Sequence, residues 1–142
     1  MILRLITILC PIILFGQESS MICGVWLEEE QQSHIEIYPT DSDTYEGKII
    51  WLAEPINENG EIKLDKEKPD KNLRKRTIQN LIIIQQLKFT ENNQWSNGSI
   101  YDARSGKTYS LNAKLEGEDT LFMRGYLGFS LIGKTTRWTR IK

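Results

Sequence analysis

Three groups of residues carry side chains that could do chemistry. Gly128-Phe129-Ser130-Leu131-Ile132-Gly133-Lys134-Thr135 matches, letter for letter, the loop that cradles nucleotide phosphates. That chemistry needs a strand before the loop and a helix after it, so that amides at the helix N-terminus face the phosphates. Thr135 to Ile141 instead reads as strand. The segment is therefore expected to be a glycine-marked corner between two strands, with no nucleotide bound. The second group is Cys23 with His34, the single histidine. A thiolate–imidazole pair also needs an orienting third group, and none is identifiable. Cys23 beside Gly24 reads as a small buried hydrophobe. The third group is Trp51, Tyr101, Arg124 and Tyr126. Trp51 and Tyr101 offer flat apolar area, and Arg124 can pair a carboxylate or phosphate head group. These four are the candidate ligand-binding residues of a cavity or its rim. Leu121 and Met123 claim the face opposite Arg124, so the facing of that strand stays open.

No nucleophile–base pair, metal cluster or close carboxylate pair is evident from spacing. Asp102 with Tyr101 and Lys107 reads as a hairpin turn. One histidine and two cysteines are poor material for zinc, which takes three or four such ligands. The expectation is a protein that is not an enzyme and has no cofactor or metal.

The elements that must position these side chains are strands. The chain has 142 residues, 39% hydrophobic and 26% charged, which suits one globular domain. Lys+Arg is 18 and Asp+Glu is 19, for a net charge of −1. That balance excludes a nucleic-acid binder working through a basic face. Period-2 alternation marks eight strands: Cys23–Leu27, His34–Tyr38, Tyr45–Leu52, Leu81–Phe89, Gly98–Asp102, Thr108–Leu115, Thr120–Tyr126 and Thr135–Ile141. Ile35 and Ile37 share one face; Tyr109, Leu111, Ala113 and Leu115 share another. Short loops at Glu91–Asn93, Ala103–Gly106 and Glu116–Asp119 make neighbours antiparallel. Asn97-Gly98-Ser99, formally a glycosylation acceptor, reads as a turn. The predicted fold class is all-β: an eight-stranded antiparallel up-and-down barrel with one long loop. Eight strands enclose either a filled core or room for one small ligand.

The long loop is Glu54 to Arg76, with Pro55, Asn59-Gly60, Pro69 and a run of mixed charge. Loops of this length are often lids, although a solvated excursion is an equal alternative here. Asn59-Gly60 is expected to turn a small hairpin, and Asp70–Lys75 a short helical turn.

Leu5 to Phe15 is an apolar run of eleven residues preceded by Arg4. It is too short for a membrane span and suits the core of an export signal. The expected organisation is a signal peptide over 1–16, cut after Gly16, and a barrel domain over 17–142. Its loss takes away Arg4 and Cys10, so no disulfide forms within the mature chain.

Gly24-Val25-Trp26 on the first strand and Arg137-Trp138-Thr139-Arg140 on the last resemble the calycin signature of lipocalins and fatty-acid-binding proteins. The resemblance implies that Trp26 covers the closed end of the barrel and Arg140 packs over it, with Gly24 as part of the same structural signature. The chain also resembles a bacterial exported, lipocalin-like domain-of-unknown-function family numbered twenty-one forty-seven. The residues that carry this are Gly24–Leu27, Ile35–Tyr38, Gly47–Pro55, Lys68-Pro69-Asp70 with Leu73-Arg74, Ile100–Asp102 with Ser105–Tyr109, and Arg124–Gly128 through Gly133 to Arg140. A cysteine pair common in that family is absent, with Thr40 and Glu46 near those positions; Thr77 and Asn80 stand where a Pro and a Gly are usual. The resemblance implies export to the periplasm or the exterior and a barrel that captures a small hydrophobic or amphipathic molecule. The charge balance and the strand context of 128–135 give the expectation of no nucleic-acid or nucleotide partner, and membrane contact is expected only through the signal peptide. The alternative is an envelope interaction module whose barrel is filled and holds no ligand.

Overall fold

The computed structural model describes residues 15–128 and 132–142. A short helix, α1 (Phe15–Ser20), leads into β1 (Gly24–Leu27), β2 (Ser33–Pro39), β3 (Tyr45–Leu52), β4 (Ile82–Glu91), β5 (Gln94–Asp102), β6 (Lys107–Glu116), β7 (Thr120–Leu127) and β8 (Ile132–Arg140). Each strand pairs antiparallel with the next, and β8 returns to β1, closing the barrel. The expected all-β up-and-down barrel is what the chain forms. Residues 1–14 of the expected export segment lie outside the described residues, as does the corner at 129–131.

Alternation places Ile35 and Ile37 of β2, Leu111, Ala113 and Leu115 of β6, and Leu121 and Met123 of β7 inside, all nearly or fully buried. Asn92 and Asn93 take positive φ of 46° and 59° and turn β4 into β5 through two residues. Both central residues of that turn type need a left-handed backbone, which asparagine tolerates. Asn80 also stands at a positive φ of 68°.

Bulges bend the wall and reset which side chains face in. Tyr45 pairs with Leu87 and Gly47 with Ile84, so β4 carries an extra residue where Gln86 has φ 55°. Trp95 pairs with Ala113 and Gly98 with Leu111, an extra residue on β5 where Asn97 has φ 61°. Trp95 to Gly98 therefore continues a strand instead of making the expected turn, and β5 begins at Gln94. A bulge keeps pairing while re-aiming side chains.

The seam between β1 and β8 is short. Only Trp26↔Arg140 and Leu27↔Thr139 pair across it. Above them the carboxylate of Glu29 accepts the Arg137 N–H at 3.1 Å, where a longer β1 would have offered a carbonyl.

One end of the barrel is plugged. Trp26 and Trp95 are buried there with Ile22. The Trp26 indole donates to the Ile22 carbonyl at 2.9 Å, and the Trp95 indole to the Ser19 carbonyl at 3.2 Å. Glu18 accepts the Asn93 N–H at 3.1 Å. The Arg140 guanidinium lies 4.2 Å from the Trp26 ring centre. It donates to the carbonyls of Glu118, Cys23 and Met21 at 2.6, 2.7 and 2.5 Å. Gly24 has φ 141°, and a Cβ there would collide with Arg140 Nη1 and the Lys142 carbonyl oxygen. Only glycine admits both the backbone angle and the guanidinium.

Candidate functional site

The other end of the barrel opens into a cavity of about 690 Å³. Its walls are mainly apolar: Ile35, Ile49, Ile83, Ile100, Leu111 and Met123 surround it, with Trp138 among them. Its mouth is ringed by Glu28, Glu29 and Glu30 between β1 and β2, by Asp102 at the end of β5 and Arg104 in the turn after it, and by Lys134 of β8. Leu64, Ile78, Lys63 and Lys66 of the β3–β4 connection also face the cavity.

That connection, the long loop of the sequence, is a strap with its own order. Ile56 bridges Ile62 around Asn59-Gly60, and Leu64 bridges Thr77. Lys71–Leu73 make one 3-10 turn capped by the Asp70 carboxylate, which accepts the Asn72 N–H at 3.0 Å. Arg74 Nε donates to the Lys68 carbonyl at 2.6 Å. One buried polar group fixes the strap to the barrel. Asp65 has no exposed surface; its carboxylate accepts the Tyr101 hydroxyl at 2.5 Å and Arg76 Nε at 2.8 Å. A buried carboxylate is tolerable because both oxygens are hydrogen-bonded and a cation faces one of them. Lys68 Nζ lies 4.3 Å over the Tyr101 ring. Burial, and then the hydrogen bond to Asp65, pushes the Tyr101 phenol up to about 12. At Gly106, with φ 72°, a Cβ would run into the Glu67 carbonyl, so the β5–β6 turn and the strap touch backbone to backbone.

The carboxylates of the mouth are engaged. Glu28 accepts the N–H groups of Glu30, Gln32 and Ser33 and so shapes the β1–β2 loop. Glu30 pairs with Arg104 at 2.6 Å, Asp102 with Arg104 at 3.3 Å, and Glu54 with Lys63 at 3.7 Å. Asp102 also accepts the Arg104 N–H at 3.0 Å, the turn chemistry expected of it.

Of the four candidate ligand residues, the structure brings only Tyr101 into the cavity lining, where its hydroxyl is committed to the strap. Trp51 lies on the outer wall, 42% exposed and stacked on His34 with ring centres 4.3 Å apart. The cause is a bulge: Ile35 pairs with Ile49 but His34 with Trp51, so the extra residue turns Trp51 outward and Leu52 inward. Arg124 and Tyr126 are also outside the cavity, because Leu121, Met123 and Gly125 take the inward face of β7. The Arg124 guanidinium reaches Thr135 Oγ1 on the neighbouring strand at 3.5 Å. Asp65, Arg76 and Lys134 are the site residues that sequence reasoning missed. Lys134 had a signal: it lies two and four residues before Thr136 and Trp138, and so shares their face. Asp65 had none, since one buried carboxylate in a run of charges looks like its neighbours.

Gly133, Lys134 and Thr135 sit inside strand β8. Cys23 is half-buried, and burial pushes its thiol up, the reverse of an activated nucleophile. Among the described residues, no cluster of three or more His, Cys, Asp or Glu is placed to hold a metal ion.

The chain resembles, at 21% identity and a TM-score of 0.74, the structure of protein HP1028 from the human pathogen Helicobacter pylori, described as belonging to the lipocalin family. The likeness covers 85% of this chain and 83% of that one. No curated protein matches. A family model described as an uncharacterized protein conserved in bacteria, DUF2147, matches residues 24–140. That span takes in every strand of the barrel and the strap over its mouth, and the chain belongs to the DUF2147 family, in a lipocalin-like fold.

Proposed function

We propose that this protein is an exported binding protein that holds a small, mostly apolar molecule inside its barrel. The observation that carries this reading is the cavity of about 690 Å³, walled by aliphatic side chains and open at one end. That volume lies in the range of small-molecule sites. The protein acts by holding its ligand and not by converting it, since the carboxylates at the mouth serve loop geometry and ion pairs. Export to the periplasm or the exterior is supported by Arg4 and the apolar run to Phe15. Just beyond that run, Glu18 and Ser19 contact the barrel.

The test is titration of the purified barrel with an uncharged fluorescent apolar dye. The expected result is saturable one-to-one uptake that Leu111→Trp, which fills the interior, abolishes in a folded protein. No saturable uptake by the unaltered protein would leave the alternative, a filled interaction module.

A further inference from the structure

We propose that the ligand is an anionic amphiphile: its head group is held at the mouth by Lys134 and the Tyr109 hydroxyl, and its tail runs down the barrel. This rests on the reading of the barrel as a binding site and names the ligand class that the site takes. The inward face of the β7–β8 hairpin forms a ladder of paired residues. From the closed end outward the pairs are Leu121↔Trp138, Met123↔Thr136 and Gly125↔Lys134. Leu121, Met123 and Trp138 are buried. The ladder thus passes from an apolar interior to a single cation at the rim, which is the polarity profile of an amphiphile lying along it.

Gly125 shapes the place beside that cation. It has no side chain to fill the position opposite Lys134, and a Cβ there would meet Tyr109 Cβ at 3.6 Å and Ile100 Cγ2 at 3.8 Å. The resulting notch lies against Tyr109 and is paired across the strands to Lys134, and all three residues line the cavity. Among the described residues, Lys134 makes no ion pair, and the Tyr109 hydroxyl makes no hydrogen bond with another side chain or the backbone. The acids of the mouth are already committed, Glu30 and Asp102 to Arg104, Glu54 to Lys63, Glu28 and Glu29 to backbone amides. Glu28 and Glu29 keep their charge while accepting amides, so the preference rests on the local ammonium beside the Gly125 notch, which no carboxylate among the described residues pairs and which favours an anionic head at that point over a neutral or cationic one. Lys66 of the strap is the other lining cation without an ion pair among the described residues.

The test compares dodecanoate, dodecyl phosphate, dodecanol and dodecyltrimethylammonium, which share a tail and differ in the head, by displacement of the uncharged dye. The expected order places one or both anions roughly tenfold or more ahead of dodecanol, with the cation weakest. The better of the two anions identifies the head as carboxylate or phosphate. Lys134→Met keeps the length of the side chain at an exposed rim position and is expected to remove the preference while leaving dodecanol binding intact. Tyr109→Phe is expected to reduce it several-fold. Gly125→Leu is expected to weaken all four probes. Equal affinity for the anions and dodecanol, or a preference that survives Lys134→Met, would overturn the head-group assignment while the dye still binds. Failure of the dye itself would overturn the binding reading beneath it.

Discussion

At the plugged end, two buried indoles and Ile22 fill the barrel, and each polar atom among them reaches a backbone carbonyl. At the open end, a strap of chain is fixed by one buried carboxylate between a phenol and a guanidinium. The first closure stands on apolar area, which is non-directional and large. The second stands on polar contacts whose net contribution is small and whose loss is local. The plugged end is therefore expected to contribute more to stability than the strap, and the strapped end to loosen without unfolding the barrel.

The largest effect that tests this contrast is at Trp26. Trp26→Ala is expected to cost about 3–5 kcal/mol in denaturant unfolding. Arg140→Ala is expected to cost less, on the order of 1–2 kcal/mol, from lost stacking and hydrogen bonds. Because the two groups touch, their double-mutant cycle should show a coupling energy; strictly additive costs would contradict the contact. At the other end, Asp65→Asn is expected to cost about 1–3 kcal/mol, discounted because Arg76 keeps partial access to water. Its signature is local: hydrogen exchange should quicken across the strap from Lys63 to Thr77 and stay slow at Trp26 and Leu121. Equal quickening at both ends would erase the distinction between them.

The Tyr101 phenol sharpens the same comparison through pH. Its pKa is raised in the folded protein from an ordinary value of 10 to about 12. The folded state therefore holds its proton longer than the unfolded chain. The stabilisation is complete below pH 10 and falls as pH rises from 10 to about 12. Burial and the neighbouring Glu46 and Glu36 raise the Tyr38 phenol too, so tyrosinate absorbance should show a late-titrating component that Tyr101→Phe reduces, and the fall in stability over that interval should shrink in the same variant. The smallest effect belongs to Trp51. Trp51→Ala is expected to change stability by no more than about 0.5 kcal/mol and to leave dye uptake unchanged. A lost affinity would place Trp51 in the ligand's path.

Strand number, order and direction were legible because alternation survives wherever one face is wet and the other dry. Ile35 with Ile37, and Leu111 with Ala113 and Leu115, declare their faces without ambiguity. The Trp26–Arg140 contact was legible from the family resemblance. The cavity lining was legible only where no bulge intervenes. Ile49-Ile50-Trp51 is three apolar residues in a row, and the extra residue at that point decides which of them faces out. Asn97-Gly98 carries turn-forming residues for the same reason a bulge does, the need for a left-handed backbone. The Asp65 clamp depends on a partner 36 positions away, and nothing local distinguishes it.

The short seam between β1 and β8 makes the wall a cuff with a clasp. A tube of fixed circumference admits guests only through its ends. Here two residue pairs join the edges, Val25 bonds Ile141 and Lys142 at the closed end, and toward the mouth one carboxylate holds the Arg137 amide, while β7 and β8 share eight pairs on the other side of the same strand. Local opening costs least where the fewest bonds must part. The mouth end of this seam, held among the described residues by the Glu29 carboxylate alone beyond Leu27, is therefore where the wall would part first.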